Sequence, residues 1–327
     1  MKINAAHGGG GKLMNELIRD VFQSAFSNET LDRMEDAAVL PAPEGRIALT
    51  TDSFVVTPLF FPGGDIGTLA VCGTVNDLLM RGATPKYLTA GFILEDGLEI
   101  ATLKRVASSM RQAAEEAGVL IVAGDTKVID GKGGLYINTA GVGFVKDGVM
   151  VSAANTKPGD AVIVSGYLGN HHACILSARM EIENSIFSDC APLNGMVHAL
   201  LDAGINVHSL RDITRGGLAS VLHEIAHTSG VHISLSGAPL ADAQVAGFCD
   251  ILGLDPLYMG NEGKLMLTVP EEEAQRALEL IKASPYGEHA QIVGSVLSGT
   301  PLVTQKTRAG GNRVIEPLLG EGLPRIC

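Results

Sequence analysis

The feature that most constrains this chain is a pattern that recurs five times. An apolar run gives way to small residues and then to an acid beside Ser, Thr, Asn or Gly. The five are Thr51-Asp52-Ser53, Asn76-Asp77, Gly124-Asp125-Thr126-Lys127, Arg211-Asp212-Ile213-Thr214-Arg215-Gly216-Gly217 and Gly260-Asn261-Glu262-Gly263-Lys264. Each apolar run suits a buried strand or helix, and an acid at its end projects into the crevice where α/β proteins bind ligands. Singly, each acid reads first as a helix cap or turn residue. Together they describe hard oxygen ligands of the kind that hold Mg²⁺ against phosphate oxygens, with glycines letting backbone N–H groups approach.

The intervening pattern predicts alternating elements, hence an α/β (α+β) class. Residues 13–26 and 99–117 carry helical stripes, 65–82 a helix from Asp65 to Gly82, and 46–57, 86–94, 119–124 and 135–145 strands. Residues 146–159 are polar, hold a Lys-Pro-Gly-Asp turn and predict a linker. A second series follows, with strands at 160–166, 264–269 and 290–297 and helices near 216–229, 242–253 and 271–284. The expected organisation is one domain over 1–150, a second over 151–315, and a mobile tail over 316–327 that holds two glycines and a proline before Cys327.

Composition narrows the function classes. Of 327 residues, 46% are hydrophobic and 18% charged, which supplies cores and argues against disorder. The net charge of −12 repels a phosphate backbone, and the absence of tryptophan removes a common stacking platform, so nucleic acid is not expected as a partner. Cysteines at 72, 174, 190, 249 and 327 lie outside metal-ligand and CxxC spacing. No apolar run approaches the roughly 20 residues of a membrane span, and the start lacks a signal-peptide core. The expectation is a cytoplasmic protein with reduced thiols.

Two motifs invite other readings. His7 to Lys12 approaches a P-loop, but Ala6 and Leu13 stand where Gly and Ser or Thr are required. No Gly-x-Ser-x-Gly elbow occurs. His223-Glu224-Ile225-Ala226-His227 matches the zinc-protease pentad, against the plainer reading of an amphipathic helix with two histidines on one face.

Taken in order, AHGGGGKLMNELI, TDSFVVTPLFFPGGDIGTLAVCGTVNDLLMRGATPKYL, GDTKV, RDITRGG, NEGK and the closing PRIC resemble one branch of the superfamily of ATP-using enzymes that includes aminoimidazole ribonucleotide synthetase, selenophosphate synthetase and thiamine-monophosphate kinase. That branch is the hydrogenase-maturation carbamoyl dehydratase family, and the likeness runs from about residue 4 to Cys327. It implies a two-domain PurM-like fold, with N-terminal domains pairing across a shared β-barrel into a homodimer and a C-terminal α/β domain. It also implies ATP and Mg²⁺ in a cleft between the domains. Asp52, Asn76, Asp77, Asp125, Thr126, Asp212 and Thr214 would contact nucleotide or metal, the metal falling to Asp52, Asp77, Asp125 and Asp212. Arg215, Gly216 and the loop of Gly9, Gly10 and Gly11 would lie near the phosphates. The implied partners are the carbamoyltransferase HypF, which loads Cys327, and a HypC–HypD complex that accepts the cyanide.

In the family reaction the carbamoylated cysteine loses water at the expense of ATP and becomes a thiocyanate. Hydroxide is a poor leaving group, so the carbamoyl oxygen must leave as phosphate, and two N–H protons need a general base. Lys127 and Glu262 are the candidates, a proton-relaying pair where burial shifts their pKa values. A structural salt bridge is the plain alternative for Lys127, and an accidental cysteine that for Cys327. The rival functions are a small-molecule kinase or synthetase such as selenophosphate synthetase, whose reactive Cys or selenocysteine this glycine loop lacks, and a non-catalytic nucleotide-binding scaffold.

Overall fold

In the computed structural model the described residues are 1–318 except 10, 36, 42, 44, 238, 239, 308 and 309. Gly10 and the segment 319–327, with most of the expected tail and Cys327, lie outside the described residues.

Four strands build the first sheet: β1 (Arg46–Phe54), β2 (Ala83–Glu95), β3 (Leu120–Ile129) and β4 (Leu135–Val145), in the order β1-β4-β2-β3. β4 runs antiparallel to β1 and β2, while β3 runs parallel to β2. Strict alternation forms two unlike faces. Leu88, Ala90, Phe92, Leu94, Ile137 and Thr139 are buried on the inner face, whereas Ile47, Leu49 and Ile93 are exposed on the outer one.

Helix α2 (Ile66–Leu79) packs on the inner face and against α3 (Ile100–Ala117), and the earlier helix α1 (Lys12–Leu17) continues through a π-helical stretch, Ile18–Gln23, to a last turn at Ser24–Phe26. Asp65 starts α2, its carboxylate accepting the N–H groups of Gly67 and Thr68 at 2.8 and 3.0 Å. Nearly every residue of α2 is buried, because it is enclosed between the sheet and the second half of the chain. α3 is amphipathic and stops at Gly118, whose φ of 66° is left-handed.

The second sheet contains β5 (Asp160–Val164), β6 (Ser209–Asp212), β7 (His232–Leu235), β8 (Leu265–Pro270), β9 (Gln291–Leu297), β10 (Leu302–Lys306) and β11 (Asn312–Val314). Their order is β11-β10-β7-β9-β5-β8-β6, antiparallel throughout except for the parallel pair β7 and β10. With it come α4 (Asn170–Arg179), α5 (Asn194–Asp202), α6 (Gly217–Ser229), α7 (Ala243–Leu252) and α8 (Glu271–Lys282). One cluster of buried side chains, including Val75, Leu79, Leu193, Met196 and Leu267, spans both halves, and a second lies beneath α6.

Two features depart from the sequence pattern. Strand β3 continues to Ile129, so Asp125 sits inside a strand rather than at its end. The expected linker is tied to the second half through Ser152 N–H to His208 O at 3.0 Å and Gly159 N–H to Val296 O at 2.9 Å.

Candidate active site

The site is built at the inner edge of the first sheet. On β1 the residues Ala48, Thr50, Asp52 and Phe54 face inward, in register with Gly143, Gly141, Thr139 and Ile137 of β4. Thr50 Oγ1 donates to Asp77 Oδ2 at 2.9 Å, joining β1 to the last turn of α2. Gly73 makes this approach possible, since a Cβ there would stand 2.9 Å from the Phe54 ring. From the second half comes Asp212, at the end of β6 opposite Leu265.

Electrostatics places these acids together. Burial raises the Asp77 carboxyl above its ordinary value; the Thr50 hydrogen bond opposes this, and Asp52 adds to it. Burial likewise pushes Asp212 up to about 7, reinforced by Asp77 and, less, by Asp52. Arg211 offsets both only in part and also pairs with Glu224. Among the described residues no group of three His, Cys, Asp or Glu closes into a metal-binding geometry. The donors nonetheless fit Mg²⁺: they are hard carboxylate oxygens whose mutual repulsion a divalent cation would relieve.

Beyond Asp212 the chain turns sharply. Gly217 N–H donates to Thr214 O at 3.0 Å, and Gly216 and Gly217 take φ values of 79° and 63°. A Cβ at Gly217 would approach Leu257 O to 2.4 Å, so only glycine fits. The turn opens α6, whose N-terminal N–H groups and dipole favour an anion. Arg215 is exposed on it, and Thr214 is half-buried. The described chain ends at Leu318, beside Gly216.

Asn76 does something other than face a nucleotide. It is 2% exposed, its Nδ2 donates to Ala191 O at 3.0 Å, and its Oδ1 accepts Leu193 N–H at 2.9 Å. It joins α2 to segment 189–193, which in turn holds the Gly260–Lys264 loop: Glu262 N–H donates to Asp189 Oδ1 at 3.0 Å. Glu262 is buried in this junction.

Asp125 and Lys127 lie elsewhere. Asp125 shares a row with Gly91, Asn138 and Ser53 on the outer face of the sheet, away from Asp52. Lys127 Nζ is 3.0 Å from Asp125 Oδ2 in an exposed pair, and this hydrogen bond holds the Asp125 carboxyl below its usual range. Within one chain, therefore, the sheet separates Lys127 from Glu262, contrary to the expected pair. Thr126 points inward and is buried, lining an apolar slot of about 190 Å³ with Ile18, Phe22, Phe26 and Phe92. Gly8 packs on β3, where a Cβ would meet Val128 at 2.9 Å; Gly9 closes the preceding 3-10 turn, and Gly11 begins α1.

The histidine pentad is occupied otherwise. His223 Nε2 lies 2.8 Å from Ile315 O, and Glu224 pairs with Arg211. Sequence reasoning overlooked Asp189, which has no motif around it, and gave no role to Lys264, whose signal was its place in the NEGK segment.

Comparisons with known proteins identify the family. The AIR synthase related protein family matches twice, its N-terminal domain over residues 34–145 and its C-terminal domain over 157–305. The carbamoyl dehydratase HypE of Rhodobacter capsulatus is 48% identical over 336 aligned positions, covering 100% of this chain and 98% of that relative. A crystal structure of the hydrogenase maturation protein HypE in complex with ATP superposes with a TM-score of 0.94 at 45% identity, covering 99% of both chains. That of a HypE–HypF complex gives 0.81 at 48% identity, covering 92% of this chain and 99% of the other. By full-length identity and fold, the chain belongs to the AIR synthase related proteins and, within them, to the HypE carbamoyl dehydratases of hydrogenase maturation.

Proposed function

We propose that the chain binds ATP with Mg²⁺ and dehydrates a carbamoylated Cys327 to a thiocyanate, the source of the cyanide on the hydrogenase iron. The observation that carries this is the convergence of Asp52, Asp77 and Asp212 from the two halves beside the glycine turn that opens α6. A relative of this fold was solved with ATP. The described chain ends beside Gly216, nine residues before Cys327, and nine residues span up to about 30 Å.

In balance, the S-carbamoyl group and ATP give S–C≡N, ADP and phosphate. Asp52, Asp77 and Asp212 would hold the Mg²⁺, which when bound neutralises charge on the transferring phosphoryl group. Thr214, Arg215, Gly216 and the N-terminal glycine loop (Gly9, Gly10, Gly11) cradle phosphate oxygens. Thr126, beside the slot, contacts the nucleotide. Glu262 and Lys127 manage the two departing N–H protons.

We read residues 1–150 and 151–315 as the two domains and the active form as a homodimer joined by the outer face of the first sheet, which brings a partner's Asp125 and Lys127 toward the site. HypF supplies the carbamoyl group, as the solved HypE–HypF complex supports, and HypC–HypD accepts the cyanide. A cytoplasmic location suits free Cys72, Cys174, Cys190 and Cys249, and no helix among the described residues is long and apolar enough to cross a membrane.

Intact-mass analysis after incubation with HypF, carbamoyl phosphate and ATP tests the reading. The chain should gain one carbamoyl group and then lose one water, with neither change in Cys327→Ala. Unaltered mass in the wild type, with ATP consumed on a free small molecule instead, would return the chain to the kinase class.

A further inference from the structure

Between the two halves, next to the loop that carries Glu262, lies a cavity of about 630 Å³ lined in part by Thr68, Glu116, Asp189, Cys190, Lys264 and Tyr286. Its floor holds a buried acid–base pair, in which burial raises the Asp189 carboxyl above its ordinary value and Lys264 opposes that rise. The side chains of Asp189 and Lys264 are 5% and 12% exposed, and Asp189 Oδ2 stands 3.8 Å from Lys264 Nζ, close enough for attraction but too far for a hydrogen bond. Asp189 Oδ1 is spent on the Glu262 N–H. Among the described residues Oδ2 has no hydrogen-bond partner, although it is out of solvent. A buried carboxylate oxygen left in this state costs free energy.

Lys264 is equally poised. Its Nζ donates to Gly263 O at 3.2 Å and faces Asp189 without bonding to it, which leaves two of its three N–H donors without an assigned acceptor. Its stem runs past Gly166, where a Cβ would stand 3.1 Å from Cε, so glycine there keeps the path open. Gly263 is similarly constrained, since a Cβ would come within 1.8 Å of Asp189 O. The cavity thus presents one fixed acceptor and one fixed donor side by side, a pairing complementary to a primary amide, which offers N–H and C=O from one carbon.

We propose that Asp189 and Lys264 form the receptor for the carbamoyl group: the amide N–H donates to Asp189 Oδ2 and the carbonyl oxygen accepts from Lys264 Nζ. This rests on the dehydratase reading of the same region and extends it to the substrate's reacting end. The same carboxylate that takes the carbamoyl N–H fixes the Glu262 backbone through its other oxygen, so amide and base are positioned by one residue. The neighbouring Cys190 thiol is hydrogen-bonded to Cys72 and held well above its ordinary pKa by that bond and by burial. It stays protonated and does not compete for the electrophilic carbon.

The test uses the full chain carrying Cys327→Ala, so that the probe has no internal competitor. The probe is S-methyl thiocarbamate, and the control is S-methyl thioacetate, in which methyl replaces the amide nitrogen. Isothermal titration should show thiocarbamate binding at least tenfold tighter than thioacetate. That preference should vanish in Asp189→Asn, which keeps the acceptor for Glu262 but turns Oδ2 into a donor, and in Lys264→Met, which keeps the stem. ATP affinity and melting temperature serve as fold controls, and should Asp189→Asn fail them, Lys264→Met decides alone. Equal binding of the two probes by the parent chain, or an undiminished preference in the folded variants, overturns the proposal. If the wild type fails to dehydrate carbamoylated Cys327 while the preference still depends on the pair, the dehydratase reading falls and the amide receptor remains.

Discussion

Asp212, pushed up to about 7 with Asp77 beside it, is a carboxylate that burial and a like charge hold at a cost to the fold. Like charges drawn from two halves of a chain destabilise it until a cation separates them. Asp77→Asn and Asp212→Asn should therefore stabilise the ligand-free protein by about 0.5–2 kcal/mol, the usual range for relieving functional strain. The same changes should weaken Mg–ATP binding at least tenfold, because an amide is a poorer ligand than a carboxylate. Calorimetric melting and titration together decide it, and a variant that loses both stability and affinity would make these acids structural. That acids gather at a site was legible from their recurrence after apolar runs. Which of them meet was not, because one step along a strand moves a side chain to the opposite face. Asp52 and Asp125 follow similar motifs, yet β1 turns one inward and β3 turns the other outward.

Elements reveal what such spacing cannot. The α2 pattern announced a helix starting near Asp65, but nothing in Asn76-Asp77 told that the first residue clamps segment 189–193 while the second faces the charge cluster. Those partners lie over a hundred residues away, and periodicity reports only local geometry. Asn76→Ala should strand the Leu193 N–H and cost about 2–4 kcal/mol, the sum expected for buried hydrogen bonds lost without replacement, visible as a lower urea midpoint. Helix α4 was missed because its run from Asn170 to Arg179 is buried on nearly all sides and shows no amphipathic stripe. Its paired His171 and His172 have pKa values lowered to about 3 and about 4, chiefly by burial. In the unfolded chain both titrate near 6.5. Between these values the unfolded state binds more protons, so stability is complete above about 6.5 and is lost as pH falls toward 4 and 3. Thermal melts should show this decline, with a shallower slope in His172→Asn. An unchanged slope would mean that the ring is not kept neutral by the fold.

At the scale of the whole molecule, the fold class was readable from alternation, but the meaning of the outer sheet face was not, since exposure is a tertiary property. Ile47 and Leu49 are 66% and 73% exposed there, and Ile93, Leu120 and Ile129 accompany them on the same side as Asp125 and Lys127. An apolar face of this kind is what a protein covers with a partner, and in a twofold dimer each sheet would bring its Lys127 to the other chain. Leu49→Glu should then yield monomers in sedimentation velocity and abolish dehydration while each chain stays folded. The sharper experiment mixes two inactive variants, Lys127→Ala and Glu262→Ala, with subunit exchange allowed. If both residues serve a site from the same chain, every site in the mixture carries one defect and activity stays absent. If Lys127 acts on the partner's Glu262, each mixed dimer contains one site with both residues intact and one with neither. Random exchange makes half the dimers mixed, so roughly a quarter of wild-type turnover should return. Recovery must also track dilution, disappearing where the dimer dissociates. No recovery in a mixture proven to contain mixed dimers would sink the trans arrangement, and full turnover by Lys127→Ala alone would leave its ion pair with Asp125 as its whole role.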